Sequence, residues 1–120
     1  MTASDRPPFP YSIRKLPATL DVLTAIPLEK EMLANPFAPG ERVIADMTEV
    51  KFVSSVGIRF LLVITDRLRK AGGEFLLTGL HPNVREVIAI CGLEKILRIY
   101  GSMDEALAVL EPSADTEGLA

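Results

Sequence analysis

Four consecutive residues, Ser54-Ser55-Val56-Gly57, carry the side chains best placed to do chemistry. They sit where the apolar, partly β-branched run Arg42–Met47 has given way to a helix-like segment, Ile58 to Ala71, that ends in Gly72-Gly73. A serine at such a junction caps the helix through its hydroxyl, an effect of about 1 kcal/mol. It also sets a phosphate acceptor beside free backbone N–H groups and the positive end of the helix dipole. A nucleophilic serine is the poorer reading. The strained elbow that activates serine needs Gly-x-Ser-x-Gly, whereas Val53 precedes Ser54 and Gly57 is the only glycine of the stretch. A base is wanting too, because His81 is the one histidine and directly precedes Pro82, where a loop or capping role is expected.

The other reactive residue types lead away from catalysis. A single cysteine, Cys91, excludes an internal disulfide and a Cys-based zinc cluster. It falls on the apolar stripe of its predicted helix and is expected in the core. Gly72-Gly73 follows a helix and precedes a strand, the reverse of a phosphate-binding loop, and reads as a helix stop. Arg67, Arg69 and Lys70 complement that helix's C-terminal dipole and are expected to form a solvated face. Neither a cofactor nor a metal is implied.

The elements that must position the junction follow from periodicity. Tyr11 to Leu16 alternates loosely and predicts a short strand. Thr24 predicts an N-cap, with Pro27 in the first turn of a helix running to about Leu33 and burying Ala25, Leu28 and Met32. Asn35 to Gly40 is turn-rich, and Arg42 to Met47 reads as a strand covered on both faces. The long helix begins at Ser55. Its first half is apolar nearly all round, so it is either sandwiched in the core or presented to a partner, and burial is the expectation.

Glu74 to Thr78 is the next strand. Pro82 opens a helix with Val84, Val87, Ile88 and Cys91 on one stripe, closed by Gly92. Ile96 to Tyr100 is a last strand, and Ser102 with Glu105 reads as a capping box for a helix with Met103, Ala106, Leu107 and Leu110 on its apolar side. Strands alternating with helices imply an α/β protein with a mostly parallel sheet, in which sites collect at the carboxyl ends of the strands. The Ser54–Gly57 turn lies there.

With 120 residues, 48% hydrophobic and 24% charged, the chain suits one domain with one core. We expect a proline-rich arm over 1–10, the domain over 11–111 and an acidic tail over 112–120. A net charge of −3 argues against nucleic acid. No apolar run approaches the roughly 20 residues of a membrane span. No secretory signal is visible either, so a cytoplasmic protein without direct membrane insertion is expected.

The stretch Asp46-Met47-Thr48-Glu49-Val50-Lys51-Phe52-Val53-Ser54-Ser55-Val56-Gly57-Ile58 resembles the central motif of STAS domains, and within them that of bacterial anti-sigma factor antagonists. Further matches are Leu20-Asp21 with Thr24-Ala25, Gly72-Gly73 before a strand, Gly79-Leu80-x-Pro82-x-Val84, Gly92-Leu93, and Ile99-Tyr100-x-Ser102-x-x-Glu105-Ala106-Leu107. In order, they cover about residues 12–110. The resemblance implies a four- or five-stranded mixed, mostly parallel sheet packed with about four helices. It implies a non-enzymatic partner switch: the antagonist binds an anti-sigma factor that is itself a serine kinase and so frees a sigma factor. Phosphorylation of one serine undoes the complex and a phosphatase resets it.

That serine falls on Ser55. The motif's aspartate is Ser54 here, which makes Ser54 a rival acceptor, and its second hydroxyl residue is Val56. Partner contacts are expected at Asp21, Thr24, Ser54, Ser55, Val56, Gly57 and Arg59. The resemblance leaves two other roles open, a STAS subunit of a lipid-transporting ABC complex and a scaffold in a stress-sensing STAS assembly. A monomer or weak dimer is expected for the first role.

Overall fold

A computed structural model of the chain describes residues 11–110, so the expected arm and tail lie outside the described residues. Strand β1 (Tyr11–Lys15) leads through a two-residue strand β2 (Thr19–Leu20) into helix α1 (Val22–Met32). Strand β3 (Arg42–Asp46) is followed by another short strand, β4 (Phe52–Val53), and by the long helix α2 (Ser55–Lys70). Then come β5 (Glu74–Thr78), α3 (Pro82–Ile90), β6 (Arg98–Tyr100) and α4 (Met103–Leu110). The sheet runs β1-β3-β5-β6 with every pairing parallel, and β2 and β4 form a separate parallel pair. The chain adopts the expected α/β architecture: against an expectation of four or five strands in a mixed, mostly parallel sheet with about four helices, the described residues form a main sheet of four strands, all parallel, with four helices.

The two faces of the sheet are covered unequally. Val43, Ala45, Phe75 and Leu77 point to one side and join Phe60, Leu61, Ile64 and Leu68 of α2, Ala25 of α1 and Val84 and Ile88 of α3 in the larger core. Ile44 and Leu76 point to the other and meet Ala106 and Leu110 of α4. Each large side chain buried this way contributes about 1.5–3 kcal/mol. β3 is thus apolar on both sides because both sides are covered. Glu74 lies between Arg42 and Arg98, and so ties three neighbouring strands together by charge.

Several boundaries differ from the sequence expectation, each for a local reason. Asp21, not Thr24, caps α1, and Pro27 lies inside the helix rather than in its first turn. Proline there removes the bond that would have ended on the Leu23 carbonyl. Strand β6 starts at Arg98, because residues 94–97 form a turn closed by Ile96 and Leu97 N–H bonds to Leu93. Cys91 is exposed rather than buried. Gly92, with φ +72, supplies the left-handed residue that ends α3, and the chain unrolls at Cys91 before its stripe position can face the core. Gly72 ends α2 as anticipated: its N–H and that of Gly73 bond back to Arg69 and Leu68. Of the charged end of α2, Lys70 pairs with Asp66 while Arg69 donates to the Ile96 carbonyl. Glu105 donates its N–H to Ser102 Oγ at 3.2 Å, and its carboxylate accepts from Gly101 N–H at 3.2 Å instead of from Ser102.

Candidate functional site

The short β2–β4 pair builds the junction. It sets Leu20 beside Val53, so that the next residue, Ser54, donates its N–H to the Leu20 carbonyl at 2.9 Å. The Ser54 hydroxyl donates to the same carbonyl at 3.2 Å and accepts the Gly57 N–H at 3.3 Å. Ser54 is therefore the N-cap of α2, and Ser55, expected to begin the helix as its cap, is the first residue inside it. Its side chain is exposed on that first turn. The two serines divide the work: one hydroxyl holds the helix start against β2, and the other faces outward.

Gly57 is buried and packing requires it. A Cβ there would lie 2.4 Å from the Leu20 carbonyl oxygen and 2.8 Å from Leu20 Cβ and Val53 Cγ1. Val56 is half-buried against the larger core. These two shape the junction from within.

The start of α1 is bound to the same place. Asp21 Oδ1 accepts the Leu23 and Thr24 N–H groups at 2.9 and 3.3 Å. Thr24 Oγ1 in turn accepts the Asp21 N–H at 3.0 Å and donates to the Thr19 carbonyl at 2.7 Å. This capping box satisfies donors the helix leaves free and anchors α1 to β2. Arg59, four residues along from Ser55, reaches across to Glu29 of α1 at 3.1 Å. The structure thus gathers the expected residues Asp21, Thr24, Ser54, Ser55, Val56, Gly57 and Arg59 around one helix–helix corner.

Sequence reasoning missed exposed apolar side chains on the elements that build this corner. Leu23 is 80% exposed, and Val22 and Ile26 of α1 and Phe52 of β4 are exposed as well. A signal existed. The core-facing stripe of α1 is the buried Ala25 with the half-buried Leu28 and Met32, and Val22, Leu23 and Ile26 fall off it. Exposed apolar clusters of this kind mark contact surfaces.

The carboxyl end of β3 adds an electrostatic feature. Asp46 Oδ1 accepts the Thr48 hydroxyl at 2.7 Å and the Thr48 N–H at 3.0 Å, and these bonds hold its carboxyl below the usual range. Lys15 pairs with Glu49 at 2.9 Å, and that carboxylate raises the Lys15 ammonium. His81 Nδ1 accepts the Asn83 N–H at 3.2 Å and caps α3, the local role its position suggested. Among the described residues, no group of three or more His, Cys, Asp or Glu could hold a metal ion, and no helix is long and apolar enough to cross a membrane. One hollow, of about 170 Å³, is lined by Ser12, Arg14, Glu31 and Phe37, and a wider, open one of about 480 Å³ by Pro82, Asn83, Arg85, Glu86, Ala89 and Glu94; neither includes a residue of the Ser54 corner. What the Ser54 corner offers is a surface with one outward hydroxyl, next to backbone N–H groups able to receive an anion.

Comparison with known proteins agrees with this geometry. The STAS domain family profile matches residues 12–106. A relative from Bordetella bronchiseptica, named as anti-sigma factor antagonist BtrV, is 34% identical over 84 residues, 70% of this chain and 72% of the relative. The structure of an anti-sigma factor antagonist from Mycobacterium paratuberculosis has a TM-score of 0.67 at 27% identity, covering 82% of this chain and 83% of that one. The STAS domain of a SulP transporter from Vibrio cholerae has a TM-score of 0.66 at 22% identity, covering 89% and 82%. The fold by itself is shared by a regulator and a transporter module, so it leaves the biochemical role to the site. On its family match and its architecture together, the chain belongs to the STAS domain family.

Proposed function

We propose that this chain is an anti-sigma factor antagonist. In this reading the corner formed by α1, β4 and the start of α2 docks an anti-sigma factor, and that docking frees a sigma factor. Asp21, Thr24, Ser54, Ser55, Val56, Gly57 and Arg59 build or line the docking surface, and Leu23, Val22, Ile26 and Phe52 supply its apolar contact. The antagonist named at 34% identity supports the partner class.

Ser55 is the switch, and the partner is a serine kinase whose product a phosphatase resets. One observation carries this choice: Ser54's hydroxyl is engaged twice, by Leu20 and Gly57, while Ser55 is exposed on the first turn of α2. A phosphate brings about −1.5 to −2 charges at neutral pH. On the first turn of α2 the helix dipole tolerates that charge within the free protein. Against a docked apolar surface the same charge must be desolvated, and the complex separates.

Incubation with the cognate anti-sigma factor and ATP, followed by mass spectrometry, tests both parts. Phosphate is expected on Ser55 in the wild type and in Ser54→Ala, and on neither serine in Ser55→Ala. Ser55→Glu is expected to weaken docking at least about tenfold, or about 1.4 kcal/mol. Phosphate on Ser54, or on neither residue of the wild type, would sink the switch. A native-cell pull-down that recovers a transporter ATPase and no anti-sigma factor would sink the whole assignment.

A further inference from the structure

Strand β1 lies at one edge of the sheet, and among the described residues β3 is its sheet neighbour. The Leu16 N–H donates to the Asp46 carbonyl at 3.0 Å, which sets the phase of that pairing. In a parallel ladder, one residue turns both backbone groups to the neighbouring strand and the next turns both away. Counting back from Leu16 through the register Arg14↔Ala45 and Ser12↔Val43, Ser12 and Arg14 face β3. Tyr11, Ile13 and Lys15 therefore send their N–H and C=O groups to the side away from β3, where no other strand of the described residues lies. Ile13 also keeps 50% of its surface exposed.

The geometry points to a second copy of this chain as the occupant of that edge: we infer that β1 pairs antiparallel with β1 of another molecule about a two-fold axis at Ile13. In this register Ile13 opposes the partner's Ile13, and Tyr11 opposes the partner's Lys15. These are hydrogen-bonded pairs, and together they satisfy every outward group of the three residues. Ile13 covers its own copy, Tyr11 lies against a lysine stem, and Ser12 opposes the partner's Arg14, so no like charges meet.

Other registers fail. A slip of one residue sets outward groups against residues already bonded to β3. A slip of two in one direction sets Arg14 against the partner's Arg14, and in the other it leaves the groups of Lys15 outside the β1 pairing. The charges that commonly guard an edge are already neutralised within the chain, Arg14 by Glu31 at 2.9 Å and Lys15 by Glu49 at 2.9 Å. None of the residues of the Ser54 corner lies on β1, so pairing here and docking there use different surfaces. A five-residue ladder makes a small interface, which sets the expected dimer in the weak, concentration-dependent class.

Amide hydrogen exchange on the full chain, read residue by residue over a hundredfold range of concentration, tests the pairing. The amides of Tyr11, Ile13 and Lys15 are expected to slow as concentration rises, in step with the mass from sedimentation equilibrium. Those of Ser12 and Arg14, held by β3, should stay protected throughout and report an intact fold. Outward amides that exchange fast at every concentration overturn the inference. So do outward amides protected equally at every concentration, since that cover comes from within one chain. Ile13→Lys, at a half-exposed position the monomer tolerates, opposes two ammonium groups and should raise the dissociation constant at least tenfold. An unchanged mass profile in that variant, with Ser12 and Arg14 still protected, overturns the inference equally.

Discussion

Two strand-to-helix junctions in this chain use the same device and serve different ends. At the first, Ser54 caps α2 by accepting the Gly57 N–H, and at the second His81 caps α3 by accepting the Asn83 N–H. The caps are alike in length, 3.3 and 3.2 Å. Their surroundings differ. Ser54 is tied to a second segment through the Leu20 carbonyl, Gly57 has no room for a side chain, and α1 and β4 carry exposed apolar residues. The start of α3 presents Pro82, Asn83, Arg85 and Glu86, polar apart from the proline and exposed. A cap alone is ordinary helix chemistry. The crossing of two segments beneath it, and the exposed apolar residues on the elements that build it, set the first junction apart.

The widest separation is expected between Gly57 at the first junction and Gly92, the glycine at the far end of α3. Gly57→Ala must move backbone at Leu20 as well as side chains, because its Cβ would lie 2.4 Å from a carbonyl oxygen. Such overpacking typically costs up to about 3 kcal/mol, and we expect a loss near that limit. Gly92→Ala, past the end of α3, meets nothing within 4 Å and carries only the strain of φ +72, about 1–2 kcal/mol. Urea titration of both variants, with slopes equal to wild type, measures the difference. Equal midpoints would mean that the backbone at Leu20 yields to a methyl group, and the contrast would collapse.

The caps themselves should separate next. Ser54→Ala removes the acceptor for the Gly57 N–H and the hydroxyl bond to Leu20, and is expected to cost about 1–2 kcal/mol. His81→Ala removes a single bond at an open helix start and should cost about 0.5 kcal/mol. The same urea titrations decide, and a larger loss at His81 would reverse the ranking. Docking sharpens the point: if the first junction is the contact surface, Leu23→Ala should weaken anti-sigma factor binding by about 1–2 kcal/mol and change folding stability by less than about 0.5 kcal/mol.

What sequence patterns could reveal here depended on how many residues compete for one job. The strands β3 and β5 were legible because their apolar runs admit no helical reading of that length, and the ends of α2 and α3 because glycine is favoured for a left-handed stop. Where two cap-forming residues lie close together, the pattern is degenerate. Asp21 and Thr24 can each cap α1, as can Ser54 and Ser55 for α2, and tertiary pairing to Thr19 and Leu20 decides. The strands β2 and β4, two residues each, are too short to show a period of two. Cys91 keeps the right spacing for the core but falls at the residue where α3 ends. The Ser54–Gly57 turn could be picked out because its residue types are unusual together. Its exposed apolar neighbours were legible only in part: Val22, Leu23 and Ile26 fall off the core stripe of α1, whereas the exposure of Phe52 depends on which face the rest of the fold covers.

A smaller effect is expected between the two junctions, at the carboxyl end of β3. Thr48 bonds Asp46 through hydroxyl and N–H, and it sits directly under Gly79, the residue that follows β5. The folded state holds the Asp46 carboxyl below its ordinary 3.8, chiefly through the Thr48 hydroxyl. The unfolded chain therefore binds a proton more readily than the folded one as pH falls. The stability these bonds contribute is complete above pH 3.8 and is lost as pH drops through the lowered folded value. Thr48→Val deletes the hydroxyl but keeps the N–H bond, so it should cost less than about 1 kcal/mol at neutral pH. Its deficit should shrink as pH falls below 3.8 and wild type loses the same contribution. Chemical denaturation at several pH values reads this directly. A deficit that stays constant through that window would mean the loss comes from packing against Gly79, and the carboxylate would have no part in it.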